Sequence, residues 1–396
     1  MNIAATHGIV RSESEVLPSL LHIATENHLP IAVWRRPNDP VTYVLLANEY
    51  RLVEANETIE ELSAGFLFAP FDPSRRPFYL PADFLFKFEN GVACDPMTPQ
   101  EISSVAWLEE RLRRRQPTAI ATVAQEKERS ADTSVDFIQL TEKALQTIQR
   151  GDLEKVVPSR TRVVKLPGSF DLVTAFNKLR SAYDHAFVSL VSVPDVGTWM
   201  GASPESLFSI ENKTIFKTVA LAGTLPYKPG MNLKSFAWTQ KEIEEQALVE
   251  RYVISCFKKI RLREYEEHGP RTVVAGNLVH LKSEFSVDMK ATNFPQLGSV
   301  MLRLLHPTSA VCGMPLEPAL RFLKESEGYD REFYAGYLGP TNINGNIDVF
   351  VNLRCMKIQG DHAVLFAGAG ITADSEPSLE LKETEMKFQT LLNVVF

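Results

Sequence analysis

The chain has 396 residues, 44% of them hydrophobic and 23% charged, the composition of a globular protein with a sizeable core. Lys and Arg number 42 against 49 Asp and Glu, a net charge of −7. That balance argues against a general nucleic-acid binder and requires that any anionic substrate meet locally placed cations.

The cysteines, Cys94, Cys256, Cys312 and Cys355, are far apart and form no CxxC, so free thiols are expected rather than zinc or disulfides. The first residues lack a charged region followed by an apolar one. No apolar run approaches the roughly 20 residues needed to span a bilayer. A soluble cytoplasmic protein is expected, with neither nucleic acid nor membrane as partner.

Short apolar strands, Tyr43–Leu46 and Gly65–Phe68, alternate early on with Pro-rich turns, and a charged helix is predicted over Pro99–Arg115. The polar run Glu126–Thr133 reads as a linker or exposed loop. Beyond it, Phe137–Arg150 is predicted helical. Strands follow at Lys155–Leu166, Ala186–Val193, Ser206–Ile210 and Thr214–Leu221. Thr239–Ile260 is a long amphipathic helix and Ala275–Glu284 is strand-like. Asn344-Gly345 is a hairpin turn. Ile347–Ile358, apolar on both faces, reads as one strand of a covered sheet. A second hairpin turns at Gln359-Gly360-Asp361 into Ala363–Phe366, and a helix begins near Glu376. Consecutive strands with interspersed helices indicate an α+β layered architecture.

Thr239 with Glu242 fits a capping box. Glu245 shares its spacing with Val249, Tyr252, Val253, Cys256 and Phe257, and so falls on the apolar stripe. A carboxylate there is either bound to a cation or half-solvated at the helix start. Glu383 and Lys387 stand at i,i+4, the spacing of a surface ion pair. Gly368 to Ala373 matches G-x-G-x-x-A. Only 23 residues follow Ala373, too few for the second parallel strand of a dinucleotide fold. What survives is a glycine-rich turn near a helix start, suited to a carboxylate or phosphate. Arg354, within a buried-looking strand, needs an anion. Lys155, in Glu154-Lys155-Val156-Val157, is either a base of lowered pKa or a lysine snorkelling at a strand end. Glu205 sits on a turn entering a strand, and His280 reads as a core histidine.

The order of these segments carries more than any one of them. Glu154 to Arg160, Ser203-Pro204-Glu205, Ala220-Leu221-Ala222-Gly223-Thr224, Lys241 to Gln246, His306-Pro307-Thr308-Ser309-Ala310-Val311-Cys312-Gly313, Phe333 to Gly336, Leu353-Arg354-Cys355, Ala367 to Ile371 and Lys382-Glu383-Thr384 occur in sequence. Over about residues 137–396 the chain resembles the chorismate-utilising enzymes: isochorismate, salicylate, anthranilate and aminodeoxychorismate synthases.

The resemblance implies a single large fold of two packed β-sheets with helices outside. Residues 1–133 would be an N-terminal portion without assigned chemistry and 134–396 the chorismate-binding catalytic region. It implies one Mg²⁺ held by Glu245 and Glu383. Arg354 and Tyr334 would bind the enolpyruvyl carboxylate, with the Gly368–Gly370 backbone and Lys387 nearby. Gly223 and Thr224 would line the ring site, and His280 would lie near the departing hydroxyl. Within the family, Ala222 stands where aminodeoxychorismate synthases carry a lysine nucleophile. Ala220-Leu221 and Ala310 resemble the water-using branch, and Lys155 matches its water-activating lysine, with Glu205 as the acid. Isochorismate synthase is therefore expected, without an obligate glutaminase subunit and for menaquinone or siderophore biosynthesis. Salicylate synthase and anthranilate synthase component I are the alternatives. Gln246 in place of a common histidine, and Pro158 just after Lys155, depart from the family pattern.

Overall fold

The structure, a computed structural model, describes residues 12–94, 108, 110, 112, 137–226, 230–233, 236–275 and 278–396. Most of the helix expected over Pro99–Arg115 and the whole of the Glu126–Thr133 segment lie outside the described residues. The first elements are α1 (Glu13–Glu26), β1 (Ile31–Arg35), β2 (Val41–Leu46), β3 (Arg51–Leu52), β4 (Gly65–Ala69), β5 (Phe78–Pro81), β6 (Phe84–Glu89) and β7 (Val92–Ala93). Then come α2 (Phe137–Gln149), β8 (Lys155–Val156), β9 (Ser159–Lys165), α3 (Leu172–Ala182), β10 (Phe187–Val193), β11 (Gly197–Ser203), β12 (Ser206–Glu211), β13 (Ile215–Pro226) and α4 (Gln240–Lys259). The rest are β14 (Glu266–Ala275), β15 (Leu278–Asp288), α5 (Leu297–Leu305), β16 (Gly313–Met314), α6 (Leu316–Ser326), β17 (Tyr337–Thr341), β18 (Ile347–Val351), β19 (Cys355–Gln359), β20 (His362–Gly368) and α7 (Pro377–Val395).

Among the described residues two antiparallel nine-stranded sheets form, with orders β7-β6-β2-β1-β10-β11-β19-β20-β9 and β14-β15-β13-β12-β18-β17-β4-β5-β3. Strands from before residue 95 and from after residue 154 thus share both sheets. In the first sheet the alternation of side chains serves two cores. Ala32, Trp34, Phe187, Val191 and Phe366 face the second sheet. Ile31, Val33, Val188, Leu190 and Leu365 face a layer built from α1, α3 and α7. Aromatic rings bridge the sheets: Phe187 stacks on Phe350 at 4.1 Å, and Trp199 meets Phe68 at 6.3 Å. Helix α4 covers β13 and β15 on the second sheet.

The local signals behave as their chemistry requires. Asn344 and Gly345 take φ 55° and 78°, the left-handed pair of a tight hairpin joining β17 to β18. Glu242 accepts the N–H of Thr239 at 2.9 Å, closing the capping box of α4. Ala275 ends β14 and pairs with Leu278, the first residue of β15, so the expected strand Ala275–Glu284 belongs to two strands. The run Ile347–Ile358 is not one strand either. Its first part is β18 in the second sheet and its last part β19 in the first. The chain changes sheets at Asn352-Leu353-Arg354, where Arg354 takes φ 48°. Apolar residues on both faces were therefore two half-strands in two sheets. Helices α1, α3, α5 and α6 were not anticipated, although Asp171 caps α3 by accepting from the Thr174 N–H at 2.7 Å.

Candidate active site

The candidate site begins at two neighbouring crossings between the sheets. β11 passes to β12 through Pro204-Glu205, beside the β18-to-β19 crossing through Arg354. The two are knit together: the Ala202 N–H donates to the Arg354 carbonyl at 3.1 Å, and the Val351 N–H to the Glu205 carbonyl at 3.0 Å. Backbones leaving paired strands for different sheets open a corner, and Glu205 and Arg354 both stand in it.

Lys155 enters from β8. The N–H of Glu154 donates to the Met314 carbonyl at 2.8 Å, that of Val156 to the Ile371 carbonyl at 3.1 Å, and that of Val157 to the Cys312 carbonyl at 2.8 Å. Pro158 then breaks the strand, and β9 resumes in the first sheet. Buried Arg331 holds the break by donating to the Val157 carbonyl at 2.6 Å. Its ion-pair partner, buried Glu327, accepts the Ser159 N–H at 2.7 Å. A buried pair so fully hydrogen-bonded gives the lysine a rigid base.

The charges converge. Burial pushes the Lys155 ammonium below its ordinary pKa; Glu245, Glu205 and Glu383 partly restore it, and Lys387 adds to the depression. Burial pushes the Glu205 carboxyl up, against the pull of Lys155, the Thr308 hydroxyl, Lys387 and Arg354. Arg354 feels Tyr334, Glu383 and Glu205. Seven predicted residues therefore form one electrostatically linked group, with a lysine and a carboxyl whose affinities for protons are driven toward each other.

Glu383 pairs with Lys387 at 2.7 Å, and Lys387 also donates to the Gly368 carbonyl at 2.6 Å. Glu245 is exposed, not on the core-facing stripe. The stripe of α4 runs instead through Gln246, Val253, Cys256 and Phe257, all buried, which leaves Glu245 at its rim, within electrostatic reach of Lys155. No group of three or more His, Cys, Asp or Glu is arranged for a metal among the described residues. Two carboxylates alone suit Mg²⁺, which keeps waters and takes further oxygens from its substrate, better than a metal needing a complete protein cage.

Small and aromatic residues stand beside these charges. Tyr334 is buried and stacks on Phe366 at 5.3 Å. A Cβ on Gly368 would lie 3.2 Å from the Tyr334 hydroxyl, and one on Gly370 3.1 Å from Lys155 Cε. The Gly368–Gly370 turn is not at a helix start, as α7 begins at Pro377. It continues the edge of β20: the Ala369 N–H donates to the Pro158 carbonyl at 3.1 Å and that of Ile371 to the Val156 carbonyl at 2.7 Å. Strand pairing, not a helix dipole, shapes it. His280 Nδ1 lies 3.1 Å from the Gly223 carbonyl, which can only accept, so Nδ1 carries the proton and Nε2 is an acceptor. Burial pushes the His280 pKa down, which favours the neutral ring, against the pull of the Gly223 carbonyl. The Thr224 side chain lies outside the described residues, and Ala310 is exposed two residues past Thr308.

Two residues of this neighbourhood had no assigned role. The Thr308 hydroxyl is turned toward the Glu205 carboxyl; it is buried and closes no hydrogen bond of normal geometry there. Its signal was the segment His306 to Gly313, which carried the resemblance without a chemical role for Thr308. Gln246 is buried against β13; its signal was the departure from a family histidine.

Residues 88–396 match the family model described as chorismate binding enzyme. The chain belongs to the chorismate-binding enzyme family. Among its relatives in this family, it is 30% identical over 263 residues to the isochorismate synthase EntC of Escherichia coli K12, which covers 65% of this chain and 66% of that one. It is 28% identical over 269 residues to the vibriobactin-specific isochorismate synthase of Vibrio cholerae, covering 66% and 67%. The chain thus spans just under two thirds of the first of these relatives. The solved structure of MenF, the menaquinone-specific isochorismate synthase of Escherichia coli, superposes with a TM-score of 0.75 over 98% of this chain and 94% of that one, at 21% identity. That likeness confirms the chorismate-binding fold: two packed sheets with helices outside.

Among the described residues no helix is long and apolar enough to cross a membrane.

Proposed function

We propose that the protein is an isochorismate synthase that adds water to C2 of chorismate with loss of the 4-hydroxyl, in the presence of Mg²⁺. The observation carrying this reading is Lys155, a part-buried amine whose pKa is lowered beside a carboxyl whose pKa is raised. Attack by water needs a base, whereas attack by ammonia does not.

In its neutral form Lys155 takes a proton from water as the oxygen bonds to ring C2. The ring double bonds shift, the C4–O bond breaks, and protonated Glu205 gives its proton to the departing oxygen. One water enters and one leaves, so the reaction is an isomerisation. Arg354 is suited to the enolpyruvyl carboxylate, with Tyr334 behind it. His280, held at Nδ1 by the Gly223 carbonyl, would lie near the departing hydroxyl. Glu245 and Glu383 would hold Mg²⁺, which when bound supplies positive charge for the ring carboxylate. Orienting a dianion at both carboxylates sets C2 against the activated water.

The pathway follows the relatives' names only as far as those go: one is menaquinone-specific and another vibriobactin-specific. A second reading rests on a relative of the amine-transferring kind. The chain is 27% identical over 282 residues to anthranilate synthase component 1 of Methanothermobacter marburgensis.

Incubation of the pure protein with chorismate and Mg²⁺ is expected to yield isochorismate by chromatography. Fluorescent salicylate would mean that pyruvate elimination follows, and ammonium-dependent anthranilate would establish the second reading. Absence of isochorismate and salicylate alike would overturn the proposal. Glu383→Gln should raise the Mg²⁺ concentration needed for half-maximal rate; an unchanged requirement would remove Glu383 from the metal site.

A further inference from the structure

We infer that Gln246 is a positioning residue that stands in for a missing strand and thereby holds the Gly223 bulge against the start of α4. The inference rests on reading the charged group around Lys155 as a chorismate site, and concerns how the ring side of that site is kept in place.

Strand β13 lies between β12 and β15. Its pairing with β12 ends at Lys217, opposite Ser209, while its pairing with β15 runs on to Pro226. Past Lys217 one edge of β13 has therefore lost its strand neighbour among the described residues. Exposed peptide groups in that position need partners. The Gln246 carboxamide supplies them. Its Oε1 accepts the Ala222 N–H at 2.8 Å and its Nε2 donates to the Ala220 carbonyl at 3.1 Å. A primary amide offers an acceptor and a donor on one planar end, which is the pattern a peptide of a neighbouring strand would present.

The same amide is fixed from behind. Of the two Nε2 hydrogens one goes to the Ala220 carbonyl and the other is shared between Glu250 Oε1 at 3.1 Å and Ser283 Oγ at 3.2 Å, and Ser283 in turn donates to Glu250. Gln246 is 1% exposed, so each of these bonds is sheltered from competing water.

The clamp lies one residue before an irregularity. The register of β13 against β15 shifts between Ala222 and Thr224, with Gly223 at φ 63° as the extra residue. Gly223 presents its carbonyl to His280 and packs under Glu242 of α4. The residue preceding Gln246 is Glu245, so a single side chain ties the rim of α4 to the backbone of the bulge. A leucine there would fill the space and leave the Ala222 and Ala220 peptide groups without partners. A histidine would keep one bond of the two.

The test uses the full-length protein, Gln246→Leu and Gln246→His. Amide hydrogen exchange at Ala222 should be faster by about tenfold or more in the leucine variant, and intermediate in the histidine variant, because a buried donor has lost its acceptor. Calorimetric affinity for chorismate should fall by about tenfold in Gln246→Leu, with kcat/KM falling mainly through KM. Where the leucine variant fails to fold, the histidine variant carries the comparison. Unchanged exchange at Ala222 would overturn the clamp. Faster exchange with chorismate affinity and kcat/KM within about threefold of the parent would overturn the positioning role. If the parent protein neither binds nor turns over chorismate, the proposed function fails, and exchange at Ala222 alone decides the clamp.

Discussion

Gly223→Ala, set against Gly345→Ala, separates the conformational demand at the β13 bulge from the demand of close packing. Both glycines are left-handed, with φ 63° and 78°. Each alanine should therefore cost about 1–2 kcal/mol for backbone strain. The surroundings differ. At Gly345 the nearest atom to a new Cβ is Lys213 Cγ at 3.7 Å, an ordinary contact with a flexible side chain. At Gly223 the Cβ would meet Glu242 Cβ at 3.1 Å, with the Glu242 carbonyl and the Trp238 ring both at 3.4 Å. The first turn of α4 would have to recede by a few tenths of an ångström, taking Glu245 with it.

An unfolding entropy of about 2.1 cal/mol/K per residue gives on the order of 0.8 kcal/mol/K for 396 residues, so the shared strain lowers Tm by about 1–3 °C. Calorimetry should find that loss in both variants. Steady-state turnover of chorismate should find kcat/KM reduced about tenfold or more in Gly223→Ala and unchanged in Gly345→Ala. Equal activity in the two variants would refute the claim that α4 is seated on Gly223.

Lys155→Ala should abolish hydration while chorismate still raises Tm; residual turnover near the parent rate would remove the lysine from the chemistry. Thr308→Val should lower kcat about tenfold at unchanged KM, with Thr308→Ser restoring most of it. Because the Thr308 hydroxyl pulls the Glu205 pKa down, its removal should also move the basic limb of the pH–rate profile upward; a stationary limb and unchanged kcat would count against the contact. The His306 pKa is pushed down to about 4 by burial, from an ordinary 6.5. The unfolded chain therefore binds the proton first, and folding stability falls as pH drops from about 6.5 to about 4, by roughly 3 kcal/mol from this ring. Urea midpoints for His306→Gln should lose that part of the pH slope; an identical slope would place the acid sensitivity elsewhere.

What can be read from the residues in order is what neighbours in the chain decide. Asn344-Gly345 must turn because both positions need positive φ. Thr239 and Glu242 must cap because three residues bring them to the same exposed N–H groups. The strand character of the apolar runs, the pairing of Glu383 with Lys387 and the candidate set around Lys155, Glu205 and Arg354 were legible in the same way, the last through its likeness to a family.

Contacts between distant elements decided the remainder. No pattern within Ile347–Ile358 marks where the chain leaves one sheet for the other, because both halves are equally apolar and the choice is made by pairing with Gly201 on one side and Phe350 with Ser206 on the other. Helical spacing put Glu245 on the buried stripe, yet a difference of one position, 100° of arc, separates it from Gln246. Only the packing of α4 on β13 determines which of the two is covered. The corner holding Glu205 beside Arg354 exists because two sheets diverge there, and the proton affinities of Lys155 and Glu205 follow from the burial and charges that this divergence brings together. Residue type and order therefore determined the local elements and the list of candidate groups, while the meeting of two sheets determined where those groups stand and in which direction their proton affinities are pushed.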